Sequence, residues 1–337
     1  PFRLACVAFG GWLLICLLLA MYQRRLIYHP TRVPALPPPP NLPWASVEPL
    51  EFVSADGLTL HGWRLTPKPS LARSDSPVVP APSKPTPVVL YFCGNAGHRG
   101  YRLDEFELLA AAGAEVCCFD YRGYGDNAGT PSEADLRRDA RAAWNLLTGP
   151  LGIPPGRIIL LGESLGGGVA TRLAADLCAD QQIPGGLVLR STFHSLREIA
   201  ASQFEWVPVS LLLLDRFESW HCVGLVTCPL LSLHGERDSI VPLTSGRALF
   251  DTAPPQSHNG IAKRFVPLPR ADHNDVIETE ALLVLDELNL PHRHILPRWT
   301  SACCQSMSRL GIHYTELQAF TYFTYTRNKV ETTGAPT

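Results

Sequence analysis

The sequence predicts an α/β fold: an eight-stranded, mostly parallel sheet with helices on both faces and a small helical cap. Three observations carry that expectation. From residue 88 onward, short apolar runs alternate with helix-length segments, the pattern of strands buried on both faces of a parallel sheet. Just before that rhythm, two alternating runs flank Asp56-Gly57, a hairpin signal. Finally, the apolar run at 157–161 enters Gly162-Glu-Ser-Leu-Gly166 and continues as a helix, which places a serine on a sharp strand-to-helix turn.

Taken in order, residues 4–22 are a 19-residue stretch without charge. As a helix it is about 28 Å long, close to the hydrocarbon thickness of a bilayer. A cleaved signal peptide has a shorter apolar region and an Ala-x-Ala site, which is missing before Arg24-Arg25. The expectation is therefore an uncleaved N-terminal anchor at 1–23. One arginine precedes the span and two follow it, which puts the following domain on the cytoplasmic side. A Pro-rich juncture at 24–48 reads as an extended spacer, so a chain beginning near Asn41 is expected to be soluble and still active.

A large α/β domain is expected over 49–290. Its hairpin strands are 50–54 and 58–65, and a Pro/Ser-rich mobile insertion follows at 68–87. Six strands come next, at 88–92, 115–119, 157–161, 186–191, 229–234 and 263–268. Helices lie near 101–112, 132–147, 166–179, 244–252 and 275–288, and Ser132-Glu-Ala-Asp135 supplies a capping-box start for the second of these. Residues 194–228, rich in Leu and Trp, exceed what a tight connection needs. They read equally as a cap over an acyl pocket or as a pair of packing helices. After 291 the periodicity dissolves into what reads as a poorly ordered tail, 291–337.

Composition narrows the function. The chain has 337 residues, 46% hydrophobic and 18% charged, with a net charge of -2, so it can bury a large core and lacks the basic balance of a nucleic-acid binder. Ten cysteines occur without a Cys-x-x-Cys or a metal-spaced Cys/His cluster, and nothing in the sequence calls for a metal or cofactor.

The chemistry concentrates around Ser164. A serine hydroxyl needs a base, and the base needs an orienting acid. Small residues two before and two after the serine let the turn close, and the helix that follows points its N-terminus, with the Leu165 N–H, toward a developing oxyanion. Asp238 lies just past the run at 229–234, where ligand-facing groups of open α/β sheets gather. The rival carboxylates Asp215 and Asp251 read as helical. Of the five histidines after Asp238, only His273 has a strand before it and a helix after it. In the Gly-rich loop Phe92-Cys-Gly-Asn-Ala-Gly-His98, the Asn95 N–H is the candidate second oxyanion donor.

Together Cys93-Gly-Asn-Ala-Gly97, Phe119-Asp-Tyr-Arg-Gly-Tyr-Gly125, Gly162-Glu-Ser-Leu-Gly166, His234-Gly-Glu-Arg-Asp238 and Asp272-His273-Asn274 resemble the α/β-hydrolase superfamily of serine hydrolases. With Arg24-Arg-Leu-Ile-Tyr-His-Pro30 after an apolar segment, the chain looks most like the membrane-anchored branch, which includes protein depalmitoylases and esterases. The resemblance covers roughly residues 20–290. Cys93 stands where family members usually carry His. The resemblance implies hydrolysis of an ester or thioester through an acyl-enzyme, on a small-molecule, lipid or acylated-protein substrate. An amidase or peptidase with the same triad is the enzymatic alternative, and a membrane-tethered binding protein without turnover is the alternative from another class.

Overall fold

A computed structural model describes residues 2–40, 42, 45–68 and 86–288. The expected insertion at 68–87, apart from residues 68, 86 and 87, and the expected tail at 291–337 lie outside the described residues.

Eight strands form the main sheet: β1 Ala45–Val53, β2 Thr59–Pro67, β3 Val88–Phe92, β4 Glu115–Phe119, β5 Ile158–Glu163, β6 Gly186–Arg190, β7 Leu230–Gly235 and β8 Arg264–Leu268. Their spatial order is β8-β7-β6-β5-β3-β4-β2-β1, and β2 alone runs antiparallel to its neighbours. Every residue of β3, β4 and β6 is buried, as strands covered on both faces require. The β1–β2 hairpin turns through Gly57 at φ +83° and extends further outward than its apolar alternation suggests. Pro49 within β1 is tolerated because β1 is the sheet edge, where a missing N–H breaks no ladder on the open side.

The helices are α1 Phe2–Ile27, α2 Leu103–Ala111, α3 Glu133–Thr148, α4 Leu165–Ala179, α5 Leu196–Gln203, α6 Val209–Leu212, α7 Leu243–Thr252 and α8 Val276–Glu287. They cover both faces of the sheet. The expected cap on α3 is present: the Ser132 hydroxyl accepts from the Asp135 N–H at 3.2 Å and donates to its carboxylate at 2.6 Å. α3 buries Leu136, Ala140, Trp144 and Leu147, a one-sided stripe at helical spacing.

α1 is long and apolar enough to cross a membrane. Its large side chains, from Phe2 through Met21, are mostly exposed, which a core helix of a soluble protein could not sustain in water. Its C-terminal half nevertheless packs on the domain. Gln23 donates to Leu212 O at 3.0 Å and accepts from Leu214 N at 2.7 Å, and Arg24 Nε meets the Asp215 carboxylate at 2.9 Å.

The start of the juncture is a strap. His29–Pro30 pairs in parallel with Ala96–Gly97, and the Arg32 guanidinium donates to Gly123 O and Gly129 O. Residues 28–36 are thus tied into the fold, and a domain beginning at residue 41 would lack these contacts.

Candidate active site

The nucleophile turn is set by close approach. At Gly166 a Cβ would lie 2.1 Å from Phe92 O and 2.6 Å from Cys93 O; at Gly162 it would lie 2.5 Å from Gly166 O. Only glycine lets the end of β5, the start of α4 and the end of β3 come this near. Between them Ser164 takes φ 50° and ψ −115°, a strained conformation for a residue with a side chain and one that clusters at functional sites. Ser164 is the N-cap of α4 but makes no side-chain cap bond, so its hydroxyl is left for another partner.

That partner is His273. Its Nε2 lies 3.0 Å from Ser164 Oγ, and its Nδ1 lies 2.8 Å and 3.0 Å from the two Asp238 oxygens. An ionised carboxylate only accepts, so the imidazole proton sits on Nδ1 and Nε2 faces the hydroxyl as an acceptor. The Asp238 side chain is fully buried and also accepts from the N–H groups of Ile240 and Val241 at 3.0 and 2.7 Å. The structure therefore brings Ser164, Asp238 and His273 together in one relay, although they lie far apart in sequence.

Asp215, a rival carboxylate in the sequence, is not helical: it lies past the end of α6 and is engaged by Arg24 and by the Tyr28 hydroxyl. Asp251 falls within α7, as expected.

The loops carrying Asp238 and His273 are fastened to each other by Asp272, which the sequence offered only as part of the Asp272-His273-Asn274 match. Asp272 Oδ1 accepts from the Ser239 N–H at 2.8 Å and from the His273 N–H at 2.7 Å. Those bonds, Ser239 foremost, hold its carboxyl below the usual range. His234 is fully buried beneath the Asp238 loop. Its Nε2 donates to Val241 O at 2.9 Å, and burial lowers its pKa, so it braces the loop as a neutral ring.

Asn95 and Leu165, the candidate oxyanion donors, line the same cavity as Ser164 and His273. The loop holding Asn95 is supported without the usual histidine. Tyr121 and Tyr124 donate through their hydroxyls to the carbonyls of Cys93 and Asn95, each at 2.8 Å, and Asn95 Nδ2 donates to Ile27 O at 2.9 Å. The Phe119-Asp-Tyr-Arg-Gly-Tyr-Gly125 segment thus acts as a brace. Its Asp120 belongs to a second buried cluster, in which Arg99 pairs with Asp120 and Asp126.

Directly behind Ser164, Glu163 receives Arg102 at 2.7 and 2.9 Å, Tyr91 at 3.2 Å and the Gly94 N–H at 3.4 Å. Arg190 bridges Glu163 and Glu105. Burial alone would raise the Glu163 carboxyl, but Arg190 and Arg102 outweigh it and hold it at about 2.

The cavity in front of Ser164 encloses about 400 Å³, within the range of small-molecule sites, roughly 300–1,000 Å³. Leu196, Ile199 and Phe204 of the 194–228 segment line it together with Leu212 and Leu213, so this segment is a wall of the cavity rather than remote packing.

Comparison with known proteins agrees with this geometry. Residues 83–222 match the family described as serine aminopeptidase, S33. An uncharacterized protein of Mycobacterium tuberculosis is 38% identical over 267 residues, 79% of this chain and 85% of that protein. The lysophosphatidylserine lipase ABHD12 of Danio rerio is 35% identical over 229 residues, and that of Mus musculus 35% over 205. These alignments take in 62% and 56% of this chain but only 59% and 50% of the two lipases. The esterase Pf2001 of Pyrococcus furiosus has the same fold, with a TM-score of 0.57 at 18% identity over 78% of this chain and 95% of that one. The chain belongs to the α/β-hydrolase superfamily. Within it the protein is a hydrolase of the serine type, a class that cleaves esters and thioesters, and it is related to the ABHD12 lipases.

Proposed function

We propose that this protein cleaves carboxylic esters or thioesters bearing an apolar acyl group, through an acyl-enzyme on Ser164. The observation that carries the reading is the Ser164–His273–Asp238 relay at the base of an apolar cavity. Ser164 Oγ attacks the substrate carbonyl while His273 Nε2 takes its proton. Asp238 keeps the imidazole in the tautomer that accepts at Nε2 and stabilises the imidazolium. The Leu165 and Asn95 N–H groups receive the tetrahedral oxyanion. The imidazolium then protonates the departing alcohol or thiol, and water, deprotonated by His273, releases the acid and restores Ser164.

The named activity of the ABHD12 relatives, on a lysophospholipid, supports a lipid ester as substrate. α1 anchors the enzyme to the membrane. The small arginine excess after the span, Arg24 and Arg25 against Arg3 before it, favours a cytoplasmic catalytic domain, which protease protection of sealed vesicles tests.

The decisive panel sets p-nitrophenyl esters of increasing chain length beside an acyl thioester and a peptide amide. Turnover of the esters or thioester, lost in Ser164→Ala, is expected. Turnover confined to the amide would install the peptidase reading instead.

A further inference from the structure

The wall of the cavity that holds Ser164 and His273 includes α1. Leu19, Ala20, Gln23, Leu26 and Ile27 of α1 line the same space as Ser164 and His273. Leu19 and Ala20 lie within the uncharged 4–22 stretch, while Leu26 and Ile27 lie beyond Arg24-Arg25. From Leu19 to Ile27 the helix rises about 12 Å. The wall therefore begins inside the segment built for hydrocarbon and ends at the domain.

The one polar side chain on this wall is already satisfied. The Gln23 amide bonds Leu212 O, Leu214 N and its own helix's Ala20 O, which stitches α1 to the cap segment. Arg24 and Tyr28 close the domain end of this seam on Asp215.

The cap segment follows α1 further into the span. Trp12 Nε1 donates to Trp206 O at 3.0 Å. Trp12 precedes Arg24 by twelve residues, about 18 Å along the helix axis. The same segment leaves Trp206, Leu211 and Leu214 exposed. Apolar side chains this exposed, beside a helix of membrane-spanning length, belong in lipid rather than water.

We propose that α1 is part of the substrate site: its 19–27 face and the 196–213 segment together bind the acyl chain of a membrane lipid ester, which enters from the bilayer without leaving hydrocarbon. This rests on the hydrolase reading above and adds where the chain lies. The carboxyl end of the acyl group reaches Ser164, and its methyl end points back along α1 toward the bilayer. The helix that tethers the enzyme thereby also selects for long chains.

The test uses full-length protein in phospholipid nanodiscs and a long-chain alkyl fluorophosphonate carrying a terminal diazirine. After the phosphonate has reacted with Ser164, photolysis should place the second cross-link on the peptide containing residues 19–27. Cross-links confined to the sheet domain, with none on α1, would overturn the proposal. Failure to form the Ser164 adduct at all would instead overturn the hydrolase reading, and the two results are read from different peptides.

A second measurement uses Ala20→Phe, which fills the α1 wall. The loss in kcat/KM for a hexadecanoyl ester should exceed the loss for a butanoyl ester by about tenfold or more, since the long chain needs the pocket volume that the ring removes. Equal losses on both esters, or no loss on either, would count against the proposal.

Discussion

Replacing Glu163 by Gln tests whether the charge network behind the nucleophile stabilises the fold. The substitution keeps the volume and removes one charge from a site that is only 8% exposed. Arg190 then keeps Glu105, while Arg102 loses the carboxylate it pairs with. Breaking a buried ion pair by removing one partner costs roughly 3–5 kcal/mol.

Linkage gives a second route to the magnitude. The carboxyl is held at about 2 against an ordinary 4.5, and that difference corresponds to roughly 3 kcal/mol. Because the folded-state value is depressed, the contribution is fully present above the unfolded pKa and is lost as pH falls toward the folded one. At neutral pH, Glu163→Gln should lower the thermal midpoint by roughly 6–20 °C, at about 2–4 °C per kcal/mol for a domain of this size. The gap between variant and wild type should narrow below pH of about 4.5, with about half of the linkage contribution gone by pH of about 3. Thermal unfolding in detergent, followed by tryptophan fluorescence across that range, measures both. A variant within about 1 kcal/mol of wild type at neutral pH, or a gap that does not change with acid, would refute the reasoning.

Three further outcomes follow from the geometry. Gly166→Ala drives a methyl into the carbonyls of Phe92 and Cys93; it should cost roughly 1–3 kcal/mol or more and slow the reaction of Ser164 with a fluorophosphonate. Asp272→Ala frees the N–H groups of Ser239 and His273; it should lower kcat about tenfold by misplacing the imidazole, with KM little changed and Asp272→Asn partly restoring the rate, which steady-state kinetics will show. A chain starting at Asn41 loses α1 and the 28–36 strap that holds the Asn95 loop; side by side in detergent it should unfold at a lower temperature and turn over esters more slowly than the full chain.

The last of these departs from what the sequence suggests. A proline-rich stretch after an apolar segment looks like a spacer, and nothing local shows that Tyr28 will meet Asp215 or that His29 will pair beside Asn95. Contacts between residues far apart in the sequence leave no periodic trace. The inner strands β3 to β6, by contrast, were legible because each is an apolar run between turn residues, and burial on both faces demands that composition. The relay was legible for a related reason: Ser164, Asp238 and His273 each occupy a loop at the C-terminal end of a recognisable strand. The charged clusters were not. Arg99, Arg122 and Arg190 look like surface residues until the partners that permit their burial are placed. One signal was available in hindsight, since Asp120, Arg122 and Asp126 crowd a single Gly-rich turn where solvation alone would not require them.

The proposed catalysis requires that Ser164 be activated by His273 and Asp238. The most direct measurement is the rate at which a fluorophosphonate labels the full-length protein in detergent, with the adduct located by peptide mass spectrometry. The wild type should carry a single label, on Ser164. His273→Ala should slow labelling by at least about a hundredfold, Asp238→Asn should also slow it markedly, and Ser164→Ala should abolish it. Folded wild-type protein that takes no label, or a His273→Ala variant that labels at the wild-type rate, would contradict the claim.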